Sequence, residues 1–411
     1  MARTSATLPG GSRITDLISL GVLAKTFPRT IVDEILLNTG KASKRQRDMP
    51  AHVVVYYIIA MTLLMNVSCR EVLRCLLEGL QWLVGPNSSI KVTGKSGISQ
   101  ARNRLGAEPL EQLHDRIVAP VAIRSEQKTT RGAWYGQWRL VSLDGSTLDV
   151  ADTADNDAAF GRPGASRGSS AFPQIRLVSL VENGTHVLFG SKMGGYRTSE
   201  NDLAASAIVK LQPGMLCLAD RNFFSYNGWQ NAHKTGADLV WRVKKNLRLP
   251  CRERFADGSY LSRIYASDKD RRRDRNGIDV RVIEYQIEGV EEAEPIYRLV
   301  TTILDPDLAP AMELAQLYHD RWEIETAFDE FKTHLRGARI VLRSKTPELV
   351  RQEFYGFLMT HFAIRGLMHE AAVEADEDPD RLSFTHAVRV VRRKLSHFAT
   401  LSPPRQEMLA R

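Results

Sequence analysis

Along the first third of the chain, apolar residues recur at three- and four-residue spacing. Residues 14–23, 29–37, 51–66, 69–82 and 110–121 all carry this pattern, the period of a helix with one buried face. Pro50 and Ser68 stand where helix starts belong. A shorter helix is expected over 96–105, SGISQARNRL, with Arg102 and Arg104 projecting from its end. It reads either as the second helix of a helix-turn-helix unit, with both arginines on DNA, or as an exposed basic helix. The most apolar run, VVVYYIIAMTLLM at 53–65, is shorter than the roughly 20 residues of a membrane span and reads as a buried helix.

Between 125 and 136 the helical period stops, and SEQKTTRGAWYG reads as a linker. Residues 138–143 then form a strand pattern that ends in Asp144, followed by a polar loop over 149–170. Two β-branched runs, 175–181 and 186–193, are joined by ENGT, a strong hairpin signal. Next come a helix over 200–211, a short strand over 215–219 ending in Asp220, a helix over 226–234 and a strand over 239–243. A meander followed by helix–strand alternation predicts a mixed sheet with helices on its faces. Residues 247–304 read as short strands around a charged turn at 268–275, closing with a strand over 297–304. One or two long helices are expected over 310–336, and others over 347–372 and 384–398, before a frayed tail after Ser402.

Composition narrows this little, since 43% hydrophobic and 25% charged residues describe an ordinary globular chain. Charge changes the picture more. The formal net charge is +8, with Lys and Arg spread along the whole length, which favours a polyanionic partner. The four cysteines, Cys69, Cys75, Cys217 and Cys251, form neither a Cys-x-x-Cys pair nor a disulfide framework, which fits inert thiols and argues against structural zinc. The N-terminus lacks an apolar signal core, so a cytoplasmic, nucleoid-associated protein without membrane contact is expected.

Asp144 and Asp220 each follow directly on a short apolar strand. Functional groups collect at such strand ends, and a carboxylate there suits a hard cation such as Mg²⁺. Each alone is more often a turn residue or a helix cap. The segment LYHDRWEIETAFDEFKTHLRG is sharper. In it Tyr318, Arg321, Glu325 and Lys332 fall within an arc of about 60° at about 100° per residue. Ile324, Phe328, Phe331 and Leu335 form an apolar stripe turned by about 90° from it. Burying that stripe on a sheet would turn the polar stripe toward the strand ends and bring Glu325 beside the two aspartates. A plain amphipathic helix with an Arg321–Glu325 pair is the alternative. Asp149, Asp152, Asp155 and Asp157 crowd the loop beyond the first strand, and His186, His233, His319 and His334 show no metal-ligand spacing.

Together these residues resemble the DDE transposases of the insertion-sequence-four group. That group's helix signature, Tyr-x-x-Arg-x-x-x-Glu-x-x-x-x-x-x-Lys, is matched by Tyr318, Arg321, Glu325 and Lys332. Its first aspartate context is matched by LDGST at 143–147, and its second by LADRNFF at 218–224. The stretches GISQARNRLG and RIVLRSKTPELVRQEFYG are also similar, so the likeness covers nearly the whole chain. It implies an α/β fold: a ribonuclease-H-like mixed sheet flanked by helices and interrupted by a β-rich insertion, between an all-helical N-terminal domain and a helical C-terminal region. The implied divisions are a DNA-binding domain over 1–125, core segments over 137–246 and 305–345, the insertion over 247–304 and the C-terminal helices over 346–411.

The resemblance also implies a chemistry. Asp144, Asp220 and Glu325 would hold two Mg²⁺ ions, with Mn²⁺ able to substitute, and Asp144 would bridge them. Water would free a 3′-hydroxyl at the element end, and a hairpin would form and reopen before strand transfer into target DNA by a cut-and-paste route. Tyr318, Arg321 and Lys332 would hold phosphates. Tyr297 stands where relatives stack a flipped base, usually on Trp, and a strand-face core tyrosine is the alternative. Lys244, Lys245, Arg339 and Arg343 either line the groove or are plain solvated surface. The partners implied are double-stranded DNA, as element ends and target, and a second copy of the chain on paired ends. An inactive DNA-binding regulator derived from a transposase and a structure-selective nuclease are the rival readings.

Overall fold

The computed structural model describes residues 23, 25–45, 49–74, 76, 94–164, 172–287, 294–337 and 341–397. In chain order its helices are α1 (Arg29–Asn38), α2 (Ala51–Leu63), α3 (Lys95–Leu105), α4 (Glu108–Ile117), α5 (Ala154–Phe160), α6 (Glu200–Ala207), α7 (Tyr226–His233), α8 (Asp268–Arg273), α9 (Ala311–Asp320), α10 (Glu323–Asp329), α11 (Pro347–Ala375) and α12 (Phe384–His397). The strands are β1 (Trp134–Tyr135), β2 (Trp138–Asp149), β3 (Gln174–Glu182), β4 (Val187–Gly195), β5 (Met215–Ala219), β6 (Asp238–Arg242), β7 (Glu253–Arg254), β8 (Tyr260–Ile264), β9 (Ile278–Tyr285) and β10 (Tyr297–Thr301). The chain divides into two compact units: Met1–Val121 with Leu148–Gln174 and Phe328–Arg411, and Ala122–Thr147 with Ile175–Ala327.

The first unit is helical. Every residue of α2 from Val53 to Leu63 is buried, as an all-round apolar helix requires. It lies against α11, and Gly356 permits the approach: a Cβ there would meet Ile58 Cγ2 at 2.8 Å. The Thr62 and Thr360 hydroxyls pair at 2.8 Å across the same contact. The loop expected over 149–170 contains α5, started by Thr153, whose hydroxyl accepts from the Asn156 N–H. Asp152 and Asp157 in that stretch pair with Arg162. The helix expected over 14–23, apart from Leu23, and the tail after Ser402 lie outside the described residues, as do residues 77–82; residues 69–74 and 76 are helical. No helix among the described residues is long and apolar enough to cross a membrane.

The second unit is built on a mixed sheet in the order β4-β3-β2-β5-β6-β10-β9-β8-β7, with β1 on β2. β5 lies within it between β2 and β6, parallel to both, and all five of its residues are buried, as a strand covered on both faces demands. The region expected as an insertion does not form a sheet of its own. Its last strand, β10, pairs antiparallel with β6, and β9, β8 and β7 extend the same sheet. Its charged stretch is a helix rather than a turn: α8 has Ser267 as N-cap, acidic residues in the first turn and three arginines in the last, which complements the helix dipole. α9 packs on the sheet, with Leu314, Leu317 and Tyr318 joining Leu216, Leu218, Val240 and Leu299 in one core.

Candidate active site

β2 and β5 are in register with Leu143 opposite Ala219, so the next residue on each strand, Asp144 and Asp220, leaves the pair at the same end. Neighbouring strands lie about 4.8 Å apart, which makes these carboxylates neighbours. β2 does not end at Asp144, as its apolar pattern had indicated, but runs on to Asp149. Asp144 marks instead the place where β2 and β5 part. The two side chains are 26% and 22% exposed, open enough to meet a ligand.

Asp144 accepts hydrogen bonds from the Gly145 N–H at 2.7 Å and from Arg321 Nη1 at 3.1 Å. Burial, with a smaller contribution from the Asp220 charge, pushes its pKa above the ordinary carboxylate value, against the opposing pull of Gly145 and Arg321. Asp220 accepts from the Tyr318 hydroxyl at 3.4 Å and lies 3.8 Å from Arg242 Nη1. Burial holds the Tyr318 hydroxyl well above its usual pKa, so it remains a donor. Arg321 is only 9% exposed. Burial alone would lower its pKa, but Tyr318, Asp144 and Asp220 together more than offset that and leave it raised.

The segment carrying these groups is not one helix. α9 ends at Asp320, and the Arg321, Trp322, Ile324 and Glu325 N–H groups bond back three residues rather than four. α10 then runs to Asp329 and passes into a π-helical stretch, Glu330–Leu335. Tight turns overwind the helix and π turns underwind it, so the arc reckoned at a constant 100° per residue does not hold across 318–332. The apolar stripe nevertheless buries as expected at Ile324, Phe328, Phe331 and Leu335. Tyr318 and Arg321, before the interruption, reach the aspartates; Glu325, after it, is exposed. The alternative Arg321–Glu325 pair does not form, because Arg321 is turned to Asp144. Neighbouring Glu323 is tied down instead, accepting from the Gly184 N–H at 2.6 Å.

A second cluster adjoins Asp220. Arg242 ends β6 opposite Asp220, and its guanidinium lies 4.6 Å from the Tyr297 ring centroid. Tyr297 stacks on Tyr285 at 5.4 Å and 22°. Glu294 gathers the nearby cations, with Arg221 and Arg242 each at 2.7 Å and Lys245 at 3.5 Å. Sequence reasoning missed Arg221, Arg242 and Glu294. The rule that found Asp144 and Asp220 would have found Arg242, which ends the next parallel strand.

Other expected site residues belong to the first unit. Lys332 is half-buried in the π-helical stretch, which belongs to the first unit. Arg104 is exposed near the end of α3. Arg102 is 6% exposed and cannot face DNA: its guanidinium donates to Gln352 Oε1, Ser344 Oγ and the Leu349 carbonyl at 3.0–3.1 Å. At helical spacing Arg102 falls beside Ile98 and Leu105 on the buried face, not beside Arg104. Arg343 is likewise structural, donating to the Met61, Met65 and Val67 carbonyls. Arg339 lies outside the described residues.

The aspartate pair suits a hard divalent cation. Both donors are carboxylate oxygens, they lie side by side, and the charge of one is disfavoured by burial and by the other until a cation arrives.

The family described as Transposase DDE domain matches residues 136–362, and that described as Insertion element 4 transposase N-terminal matches residues 17–115. Over 390 residues the chain is 28% identical to the transposase InsG for insertion sequence element IS4 of Escherichia coli, covering 93% of this chain and 84% of that protein. Over 224 residues it is 25% identical to the putative transposase InsZ of the same organism, covering 54% of this chain and 71% of the relative. Among solved structures it is similar to a piggyBac transposase synaptic complex with hairpin DNA, with a TM-score of 0.46 and 12% identity over 94% of this chain and 83% of that one.

Proposed function

This chain belongs to the insertion element 4 family of DDE transposases, enzymes of DNA cleavage and strand transfer that use divalent metal ions, and we propose that Asp144, Asp220 and Glu325 are its catalytic carboxylates. One observation carries this reading. Two aspartates on adjacent parallel strands are both reached by side chains of the segment that bears Glu325, Arg321 to Asp144 and Tyr318 to Asp220.

The three carboxylates would hold two Mg²⁺ ions, for which Mn²⁺ could substitute, and the ions would neutralise charge at the scissile phosphate. Water attacks the phosphodiester at the element end, and the bond to the departing 3′-oxygen breaks to leave a free 3′-hydroxyl. That hydroxyl attacks the opposite strand, displacing the 3′-oxygen of the flanking DNA and closing a hairpin; water opens the hairpin and restores the 3′-hydroxyl, which attacks a target phosphodiester and displaces a target 3′-oxygen. Arg321 and Tyr318 exchange their aspartate partners for phosphate oxygens as cations bind, and Lys332 holds a further phosphate. Tyr297, stacked on Tyr285 and covered by Arg242, would take an unstacked base in exchange for the Arg242 guanidinium. A homodimer on paired ends, acting in the cytoplasm on nucleoid DNA, completes the reading.

The test is cleavage and joining of labelled element-end DNA with and without Mg²⁺. The reading expects nicking and joining that both need the ion and both vanish in Asp144→Asn. Binding with no cleavage would indicate a regulator, and cleavage that never joins a supplied 3′-hydroxyl end a nuclease.

A further inference from the structure

The first unit contains a cavity of about 380 Å³ far along the chain from the carboxylates, between the stretch 40–45, the start of α2 and the end of α3. Four cations line it: Lys41, Lys44, Arg45 and Arg104. No carboxylate lines it, and Lys44, Arg45 and Arg104 have no ion-pair partner among the described residues. Ser43 Oγ accepts from the Ala51 N–H at 2.8 Å, which fastens the stretch to the N-terminal end of α2 and adds the positive end of that helix to one wall. Four like charges around one concavity repel one another, and an anion seated among them relieves that repulsion.

The remaining lining decides which anion. Among the described residues it holds no aromatic ring on which a base could stack and no Asn or Gln to read a base edge. Lys44, Arg45 and Arg104 are exposed, so the charge faces outward toward an extended polyanion. We propose that this cavity binds a backbone phosphate of DNA, independently of sequence, through Lys41, Lys44, Arg45 and Arg104. The proposal rests on the transposase reading in one respect, that the polyanion is DNA. It gives the end of α3 a backbone-holding role in place of a base-reading one: Arg104 faces the phosphate while Arg102, two residues earlier, anchors the helix in the core.

The experiment uses the full chain carrying Asp144→Asn, so that binding is measured without turnover. Binding of an element-end duplex and of an unrelated duplex is followed over a salt series. Arg104→Gln, and Lys44→Gln with Arg45→Gln, are each expected to lower the slope of log affinity against log salt by at most about 0.9, the value for one phosphate, equally for both duplexes. Arg104→Lys restores the slope, which a loss of folding would not allow. Unchanged slopes in both variants overturn the proposal, as does a loss confined to the element-end duplex. A third arm titrates inorganic pyrophosphate: protection against melting that Arg104→Gln abolishes, with unchanged DNA slopes, makes this a site for free anions and also overturns it. Cleavage by the Asp144→Asn chain would sink the catalytic reading and leave the slopes interpretable.

Discussion

The two aspartates and the glutamate proposed to join them are positioned by different physical means. Asp144 and Asp220 are placed by strand register: Leu143 lies opposite Ala219, and the next residue of each strand has only its rotamers to choose. The glutamate-bearing segment is placed by helix packing, and the packing is interrupted. Tyr318 belongs to α9, which is sealed to the sheet by Leu314 and Leu317, while Glu325 follows a run of tight turns and is exposed on α10. A sheet fixes a residue through hydrogen bonds on both sides of it, whereas a helix fixes it only as far as its buried stripe continues. The pair of aspartates is therefore built in before any ligand arrives, and Glu325, the proposed third carboxylate, is set by the turn that precedes it.

That contrast can be broken at several points. The largest effect is expected from Asp144→Asn or Asp220→Asn, which remove ligands from the fixed pair. Each should slow element-end cleavage by about 10³-fold, some 4 kcal/mol of barrier, with DNA binding retained in a gel-shift assay. Glu325→Gln should lose a comparable factor, and cleavage within tenfold of the parent would remove the helix arm from the site. Arg281 anchors that arm. Fully buried, it donates to Ser259, Asp257 and the Ile303, Asp305 and Ala309 carbonyls, and Asp257 in turn accepts from the Ala311 N–H at the start of α9. Arg281→Gln should cost about 3 kcal/mol in denaturant unfolding, because Asp257 is left without its counter-charge. Arg321→Lys, which keeps the charge but loses the planar fork, should slow cleavage by about 10–100-fold with little change in stability. The smallest effect is expected at Glu294. Glu294→Gln frees Arg221, Arg242 and Lys245 for phosphate and should tighten DNA binding about fivefold, roughly 1 kcal/mol, by fluorescence anisotropy.

The same contrast explains what was legible in the sequence. Strand-end aspartates can be read because β5 is a short, wholly apolar run whose end is visible in MLCLAD. The apolar stripe of the glutamate segment can be read because burial imposes its period, and Ile324, Phe328, Phe331 and Leu335 obey it. The break at Arg321 and the π-helical stretch cannot, since both depend on how that stripe meets its tertiary surroundings. Arg102 and Arg104 illustrate the same limit. Both sit at the end of a basic helix, but Gln352, Ser344 and Leu349, some 250 positions later, claim one of them. The 247–304 strands were visible as strands, but their joining of the core sheet through β10 and β6 is a long-range pairing that no local pattern announces.

The most direct test of the account is anomalous diffraction from crystals of the chain bound to element-end DNA and Mn²⁺. The account predicts Mn²⁺ peaks within about 2.2 Å of carboxylate oxygens from Asp144, Asp220 and Glu325, against a DNA phosphate. Peaks coordinated without Glu325, or none at the place where β2 and β5 part, would contradict it.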